Sequence, residues 1–349
     1  MKKAFFIFLF LCLKVAISAD VVEEDSPAPT EIVSPEVIEQ QLESAEKLFQ
    51  EAREMFNPWY AGPLLTGSAH ILGPGLWNIQ PYLFVTTEYG TYNNKRQTTN
   101  TPNTIVVNVP VTLQAGIFKW LDASLTVQGF YNYTQGQHST HWGDTTLGIG
   151  IGLVEEGPYL PAFSIQLNQS FPTGKYENLD ATKLGTDSTG SGAYQTSFGL
   201  NFTKVVWWWL LEHPMCFRAA FAYKLSTTVP VHGFHAYGGG FDANGKVRPG
   251  NVINIDIGYE FSFTQKWVIA TDFVYVYQNE TTFNGIAGTS LTGDPAPNSL
   301  PSSDQLSLAP ALEYNPTPNL GIVGGVWFTV WGRNSAEFIS GVFTTTYTF

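Results

Sequence analysis

The feature that most constrains this chain is a two-residue alternation of apolar and polar side chains, which recurs along most of its length. It is clearest over residues 252–263, where isoleucine and aromatic side chains take every second position. Alternation of this kind predicts a β-strand with one apolar face and one polar face. Twelve such segments follow one another, at residues 76–90, 104–118, 121–135, 142–154, 161–172, 193–205, 214–228, 251–264, 267–280, 304–315, 319–331 and 337–349.

These segments are long, and the connections between them alternate in length. Each segment has the ~9–11 residues that a tilted strand needs to cross a bilayer. A soluble β-sandwich would also alternate apolar and polar side chains, but its connections would be of similar length. We therefore predict an all-β fold, a closed antiparallel transmembrane β-barrel of about 12 strands over residues 76–349. Its short turns alternate with polar outer loops at residues 91–103, 173–192, 229–250 and 281–303.

The first residues predict export. Residues 1–19 combine a basic start, a short apolar run and a small-residue end, which is typical of a secretory signal peptide. Once this peptide is removed, Cys216 is the only cysteine, so an intrachain disulfide is excluded. Aromatic residues make up 15% of the chain and charged residues only 13%, a composition that suits strands facing lipid. We expect a bacterial outer-membrane location, in contact with the lipid bilayer.

Three segments precede the predicted barrel: an acidic linker at 20–34, a helix at 35–57 and a pre-barrel segment at 58–75. The helix begins at a Ser-Pro pair and repeats apolar residues at steps of four and three. Two interpretations stay open. The helix either lies on the barrel or its own linker as a periplasmic amphipathic helix, or it plugs the barrel or joins copies into a homo-oligomer. The apolar positions are Ile38, Leu42, Ala45, Phe49, Ala52 and Phe56.

The C-terminus predicts how the barrel closes. The chain ends on Phe349, inside an alternating segment rather than in a loose tail. An open sheet edge in hydrocarbon would leave backbone groups without partners, so the last strand should pair with the first. The ending resembles the C-terminal signal of bacterial outer-membrane proteins, which implies that the insertion machinery recognises Phe349. An even number of strands places both termini in the periplasm.

The polar face of the predicted strands should line the lumen. Most of its side chains are uncharged hydrogen-bonding groups, and carboxylates outnumber the two cations. For Arg218 and Lys224 two roles stay open: they orient solutes in a water path, or they form ion pairs inside a filled lumen. The charged candidates for lining the lumen and setting selectivity are Glu88, Asp122, Arg218, Lys224, Asp256, Glu260, Asp272 and Glu313.

Other chemistries find little support in the sequence. The formal net charge of −12 argues against nucleic acid as a partner. No histidine stands on a predicted strand beside a serine, so we predict no catalytic site and no enzyme. His138 and His141, like His232 and His235, form HxxH pairs in loops. Neither pair has a cysteine or a fixed carboxylate beside it, so we predict no metal and no cofactor.

One stretch carries a family resemblance. QSFPTGKYENLD, followed by SGAYQTSFGLNFTK, resembles the MetA-pathway phenol-degradation-type family of outer-membrane transporters. The matching residues are Phe171-Pro172-Thr173-Gly174, then Gly190 and Gly192, then Phe198-Gly199-Leu200. Here Pro172 ends the strand's hydrogen-bond ladder and Gly174 permits the turn. The resemblance implies a barrel that moves small, often aromatic or hydrophobic, compounds.

Together these observations predict an outer-membrane channel or transporter. Small molecules, including aromatic or hydrophobic compounds, would pass passively through its polar lumen. The alternative is a non-conducting surface protein, in which the outer loops bind a partner and the barrel is only an anchor.

Overall fold

The structure is a computed structural model, and it describes residues 34–55, 60–207, 213–297 and 299–349. The predicted signal peptide and nearly all of the predicted linker lie outside these ranges.

Helix α1 spans Pro35–Met55 and is described here by itself. It begins where the backbone N–H groups of Val37 and Ile38 donate to the Ser34 carbonyl oxygen, over 3.0 and 3.2 Å. The side chains of Val37, Ile38 and Leu42 are exposed. In the part of the chain that the structure describes, no helix is both long and apolar enough to cross a membrane.

The strands form a closed antiparallel β-barrel, which confirms the predicted fold. Within the described residues twelve strands make the closed ring, in the order β1, β2, β3, β5, β6, β7, β8, β11, β12, β14, β15 and β16. The strands are β1 (Trp77–Tyr92), β2 (Thr98–Phe118), β3 (Leu121–Thr134), β4 (Gln137–Trp142), β5 (Thr145–Val154), β6 (Ala162–Phe171), β7 (Gln195–Val206), β8 (Met215–Ser226), β9 (Val229–His232), β10 (Asn244–Arg248), β11 (Val252–Ser262), β12 (Trp267–Gln278), β13 (Thr282–Ile286), β14 (Ser303–Thr317), β15 (Leu320–Arg333) and β16 (Ser335–Thr348).

The last strand closes the barrel against the first. Strands β1 and β16 pair along their whole length, and the pairing continues to the last residue. Trp77 and Phe349 exchange two backbone hydrogen bonds of 2.8 Å each, so the C-terminal residue has both of its ladder partners. This satisfies the backbone groups that an open edge would expose.

The alternating side chains take the predicted faces. On β16, Ile339 and Phe343 are exposed, whereas Ser340, Val342 and Thr344 are buried. On β11 the carboxylates are buried and Ile257 is exposed in the same way. The outside of the barrel is therefore apolar, as a surface against acyl chains requires.

The two ends of the barrel differ. We call the end that holds Trp77, Phe349 and the short connections the turn end, and the opposite end the loop end. Exposed aromatic rings surround the turn end: Trp77, Trp120, Trp267 and Phe349 are each exposed by 43% or more. Aromatic rings are enriched at the boundary between lipid and water, where their apolar body and polar edge are both accommodated.

At the loop end, the first predicted loop is shorter than expected. Residues 91–103 were predicted as a polar loop, but β1 runs to Tyr92 and β2 starts at Thr98, which leaves only residues 93–97. Thr91 pairs with Thr99 in this extension. Because both faces of the extended ribbon are polar, the alternation that marks the other strands is missing here.

The third and fourth long loops also contain strands. β9 and β13 pair with β10 to form a small antiparallel sheet, within regions predicted as loops. Val229, Val231 and Val247 are completely buried in its core, together with Ala193 and Tyr237. The loops at this end therefore fold into a compact structure with its own hydrophobic core.

Candidate functional site in the barrel lumen

Residues 60–75 lie inside the barrel, and we call them the plug segment. This stretch, predicted only as a pre-barrel segment, contacts wall residues on strands as far apart as β14 and β2. Leu64 is completely buried in a cluster with Ala309, Val323 and Val342, whose side chains face the lumen. The structure thus shows a plug in the residues that follow the predicted helix.

Three of the predicted lumen carboxylates bind the backbone of the plug segment. Asp272 accepts hydrogen bonds from the Leu65 N–H (3.2 Å), the Thr66 N–H (2.9 Å) and the Thr66 hydroxyl (2.5 Å). Glu313 accepts the Ala61 N–H. These carboxylates supply acceptors to a segment that has no secondary structure to satisfy its own donors.

Asp122 does the same at the other end of the plug segment. Its carboxylate accepts the Leu72 N–H over 3.0 Å and the Gln114 side-chain amide over 2.7 Å. The same pattern recurs on β7, where the Thr203 hydroxyl accepts the Ala69 N–H over 2.9 Å. The wall therefore contacts the plug backbone from several sides of the barrel.

Glycines on the wall make room for the plug segment. A Cβ atom on Gly116 would overlap the carbonyl group of Gly73, and a Cβ atom on Gly321 would overlap the Ala61 side chain. Both glycines stand on lumen-facing positions of β2 and β15, where any larger residue would displace the plug segment.

The buried cation Arg218 forms an ion pair beside the plug. Its Nε donates to Glu260 over 2.8 Å, and both side chains are buried, with exposures of 7% and 0%. The guanidinium also lies against Gly62 of the plug segment. The sequence left two roles open for Arg218, orienting solutes or forming an interior ion pair. The structure shows the ion pair. Nearby, Asp256 accepts the Asn254 side-chain amide over 2.7 Å.

The remaining two predicted residues, Glu88 and Lys224, lie toward the loop end. Glu88 is half-buried on β1 and stands opposite Phe338 of β16. Lys224 lies two residues before the loop end of β8 and lines a separate cavity. Neither residue has a hydrogen bond to the plug segment within the described residues.

Four aromatic side chains form a strip on the lumen wall that the sequence analysis missed. The rings of Tyr82 and Phe84 stack with centroids 5.5 Å apart, Trp327 lies 6.2 Å from Phe84, and Phe338 lies 4.7 Å from Trp327. Three of them pack against the Leu64 cluster, which places them inside. The sequence indicated this strip on β1, where Tyr82 and Phe84 occupy positions at which the alternation predicts polar residues.

Two cavities in the lumen are lined by described residues. One, of about 690 Å³ at the turn end, lies between the plug segment and amide side chains of the wall such as Gln80, Gln114, Gln166 and Asn201. The other, of about 390 Å³, lies at the loop end under residues 188–191 and 236–237. Polar groups contribute to the lining of both, so water and small solutes can be accommodated there.

The histidines occupy separate places. His232 contacts Glu177 at 3.0 Å, and His235 is buried in the loop-end structure. His70 lies 3.1 Å from the Ser68 hydroxyl, but that oxygen also accepts the His70 N–H, which is the geometry of a local turn. Among the described residues, no group of three or more His, Cys, Asp or Glu side chains is placed to hold a metal ion.

Glu156 anchors the plug segment to a short connection at the turn end. Its carboxylate accepts the Val205 N–H over 2.6 Å, and it lies 3.0 Å from both Lys204 Nζ and His70 Nε2. Burial raises the pKa of this carboxyl, but the hydrogen bonds from His70, the Val205 N–H and Lys204 outweigh it, so the pKa lies below its ordinary value.

This lowered pKa gives a pH-dependent prediction. Because the pKa of Glu156 is lower in the folded than in the unfolded chain, its stabilising contribution is present above the ordinary value of about 4.3 and is lost as pH falls through the folded pKa. We expect Glu156→Gln to lower the thermal midpoint at pH 7, and the difference from the wild type to shrink below about pH 4. Melting curves of both proteins between pH 7 and pH 3 measure this. A difference that stays constant across that range contradicts it.

No protein-family model and no curated protein matches the sequence. Among solved structures, the COG4313 outer membrane channel from Pseudomonas putida F1 is similar with a TM-score of 0.61 and 10% identity, over 81% of this chain and 98% of that one.

Two monoaromatic hydrocarbon channels are less similar. A TodX deletion mutant has a TM-score of 0.41 over 79% of this chain and 90% of that one, and CymD has 0.38 over 80% and 89%, both at 11% identity. Scores this low support no conclusion about this chain. The similarity to the COG4313 channel shows the fold alone: this chain has the β-barrel fold of an outer-membrane channel.

Proposed function

We propose that this protein is a bacterial outer-membrane channel for the passive passage of small molecules. The observation that carries this proposal is the lumen itself. A barrel that served only as an anchor could fill its interior with packed side chains, whereas this one leaves open cavities of about 690 and 390 Å³, each lined by both polar and apolar groups. The structurally similar COG4313 protein is described as an outer membrane channel, which agrees with the proposal.

The proposed orientation places the turn end and both termini in the periplasm. Short periplasmic turns and longer outer loops are usual in outer-membrane barrels. In this orientation Phe349 is presented to the insertion machinery from the periplasm, as its resemblance to the C-terminal signal implies. Helix α1 then also lies in the periplasm, and its exposed Val37, Ile38 and Leu42 offer a surface through which copies could associate.

The proposed solutes are small aromatic or apolar compounds. The strip formed by Tyr82, Phe84, Trp327 and Phe338 supports this, because aromatic rings on the lumen wall can stack with the ring of a solute. The family resemblance of residues 169–204 points to the same class of compound.

The charged residues of the lumen fall into two groups, those that hold the plug segment and those that do not. Asp122, Asp272 and Glu313 hold the plug segment, so their first effect is on whether the path is open. Selectivity for charge is assigned to Glu88 and Lys224, which do not hold the plug and which lie toward the loop end.

Electrical recording and liposome swelling test the channel. We expect reproducible current steps when the folded protein is added to planar bilayers, and faster swelling of liposomes in a small sugar such as arabinose than in a trisaccharide such as raffinose. Heat-unfolded protein at the same load is the control. Silent bilayers and equal swelling rates would contradict the channel and favour a surface protein whose loops bind a partner.

A further inference from the structure

Lys224 differs from the other partly buried cations of this protein. In the described residues, Arg218 pairs with Glu260 and Lys175 with Asp187, at distances of 2.8 and 2.5 Å. Lys204 contacts a carboxylate as well. Arg96 and Arg333 share Asp304, with 2.6 Å for each contact.

The Lys224 ammonium has neither an ion pair nor a hydrogen bond within the described residues. Lys224 is nonetheless half-buried, on the lumen side of β8, where it pairs in register with Ser197 on one side and Val252 on the other. A partly desolvated ammonium without a hydrogen bond is costly, because it loses hydration and the only compensation found among the described residues is the charge of the nearby Asp144 carboxylate. An anion that enters the lumen would supply that contact.

The cavity beside Lys224 suits a small organic anion. Its volume of about 390 Å³ falls in the range of small-molecule sites. Phe130 and Tyr237 provide aromatic surface in its lining, and Thr189 and Gln195 provide hydrogen-bonding groups. The site thus combines one cation with apolar surface, as recognition of a ring that bears a carboxylate requires.

Among the described residues of this lining, Asp144 is the only carboxylate, and its oxygens already accept hydrogen bonds. Asp144 accepts the Gly174 N–H over 3.0 Å, the Ser191 N–H over 2.9 Å and the Ser191 hydroxyl over 2.7 Å. These bonds occupy the Asp144 oxygens. The Lys224 ammonium is attracted by the charge of Asp144 but donates no hydrogen bond within the described residues, so its N–H donors are available to a solute.

We propose that Lys224 is the recognition residue of an anion-binding site in the loop-end cavity, which selects small aromatic carboxylates at the outer entrance of the lumen. The carboxylate of the solute pairs with the Lys224 ammonium, and its ring lies against Phe130 and Tyr237. This inference rests on the proposed function, because it names the solute class of the same lumen.

Binding of benzoate and benzamide to the detergent-solubilised full chain tests the proposal. The two probes have nearly the same shape and differ in charge. By titration calorimetry, we expect the wild type to bind benzoate at least about tenfold more tightly than benzamide, since the charged hydrogen bond adds to the ring contact. Lys224→Gln should remove that preference, and Lys224→Arg should keep it. Lys246→Gln, which changes an exposed lysine at the same end, should leave both affinities unchanged.

Three results would contradict the proposed anion site. Absence of benzoate binding, equal binding of both probes by the wild type, or an unchanged preference in Lys224→Gln overturns the anion site. The wild-type comparison needs no variant to fold. The binding assay is also separate from transport. Silent bilayers together with Lys224-dependent benzoate binding would contradict the channel and support the anion site. Current steps without that binding would support the channel and contradict the anion site.

Discussion

A barrel that lacks residues 60–75 is expected to conduct on the order of tenfold better than the intact chain. Twelve strands spaced about 4.8 Å apart and tilted by about 40° enclose a backbone radius of about 12 Å, of which wall side chains fill only part. The plug segment occupies the turn-end half of that lumen, with Leu64 completely buried. Its removal leaves the β1–β16 closure intact, because strand β1 begins only at Trp77.

Single-channel recording measures this change, and the chain offers a matched control. Deletion of helix α1, residues 35–55, shortens the N-terminal region by a similar length and leaves the plug segment in place. We expect that variant to conduct like the wild type. Heat-modifiable migration on gels identifies the folded barrels in all three samples, so that only folded protein is compared.

A milder variant tests the same idea without a deletion. Asp122→Ala with Asp272→Ala leaves the N–H groups of Leu65, Thr66 and Leu72 without their carboxylate acceptors. Since each unpaired buried donor costs about 1–3 kcal/mol, the plug should leave the lumen more often, and brief openings should become frequent. If the deletion conducts like the wild type, the plug segment does not limit passage and the loop end must do so.

The sequence carried enough information to predict the barrel wall. Alternation specifies a face at every position, so the outward Ile257 and the inward Glu260 of β11 follow directly from their spacing. Register is fixed for the same reason, because a slip of one residue would turn the carboxylates of β11 toward lipid. The terminal pairing of Phe349 follows from the cost of an open edge.

The plug segment could not be predicted in the same way. Residues 60–75 have no period of two or 3.6, because their backbone hydrogen bonds go to side chains of the wall rather than to a ladder. Those side chains are distant in sequence, as with Thr66 and Asp272, which are 206 residues apart. The one indication in the sequence was the presence of glycines at lumen-facing positions, such as Gly116 and Gly321, where the plug segment lies close to the wall.

The sequence predicted which charged side chains face the lumen, but it did not predict which groups they contact there. Parity placed Arg218 and Lys224 on the same face of the same strand, and nothing in the sequence separated them. The structure separates them along the barrel axis. Arg218 stands opposite Gly258, which is two residues from Glu260 on β11. Lys224 stands opposite Val252, at the loop end. The aromatic strip was missed because its four side chains stand at positions of the lumen face where the alternation predicts polar residues.

The ion pair between Arg218 and Glu260 makes the largest expected contribution of any single contact to stability. Arg218→Met removes the cation and leaves the completely buried Glu260 carboxylate, which Asp272 and Glu313 repel. Loss of one partner of a buried pair costs about 3–5 kcal/mol, because the remaining charge loses its compensation. We expect the free energy of unfolding of the vesicle-inserted barrel in urea to fall by that amount. Arg248→Met, at an exposed arginine, is the control.

The double variant Arg218→Met with Glu260→Gln separates the charge from the shape of the contact. If the destabilisation comes from an uncompensated carboxylate, then replacing that carboxylate by a neutral amide should recover most of the lost free energy, because a buried pair and its neutral replacement are often close in stability. If the double variant is instead as unstable as Arg218→Met, the arginine stabilises the lumen through its packing against Gly62 of the plug segment, and the ion pair is not the cause.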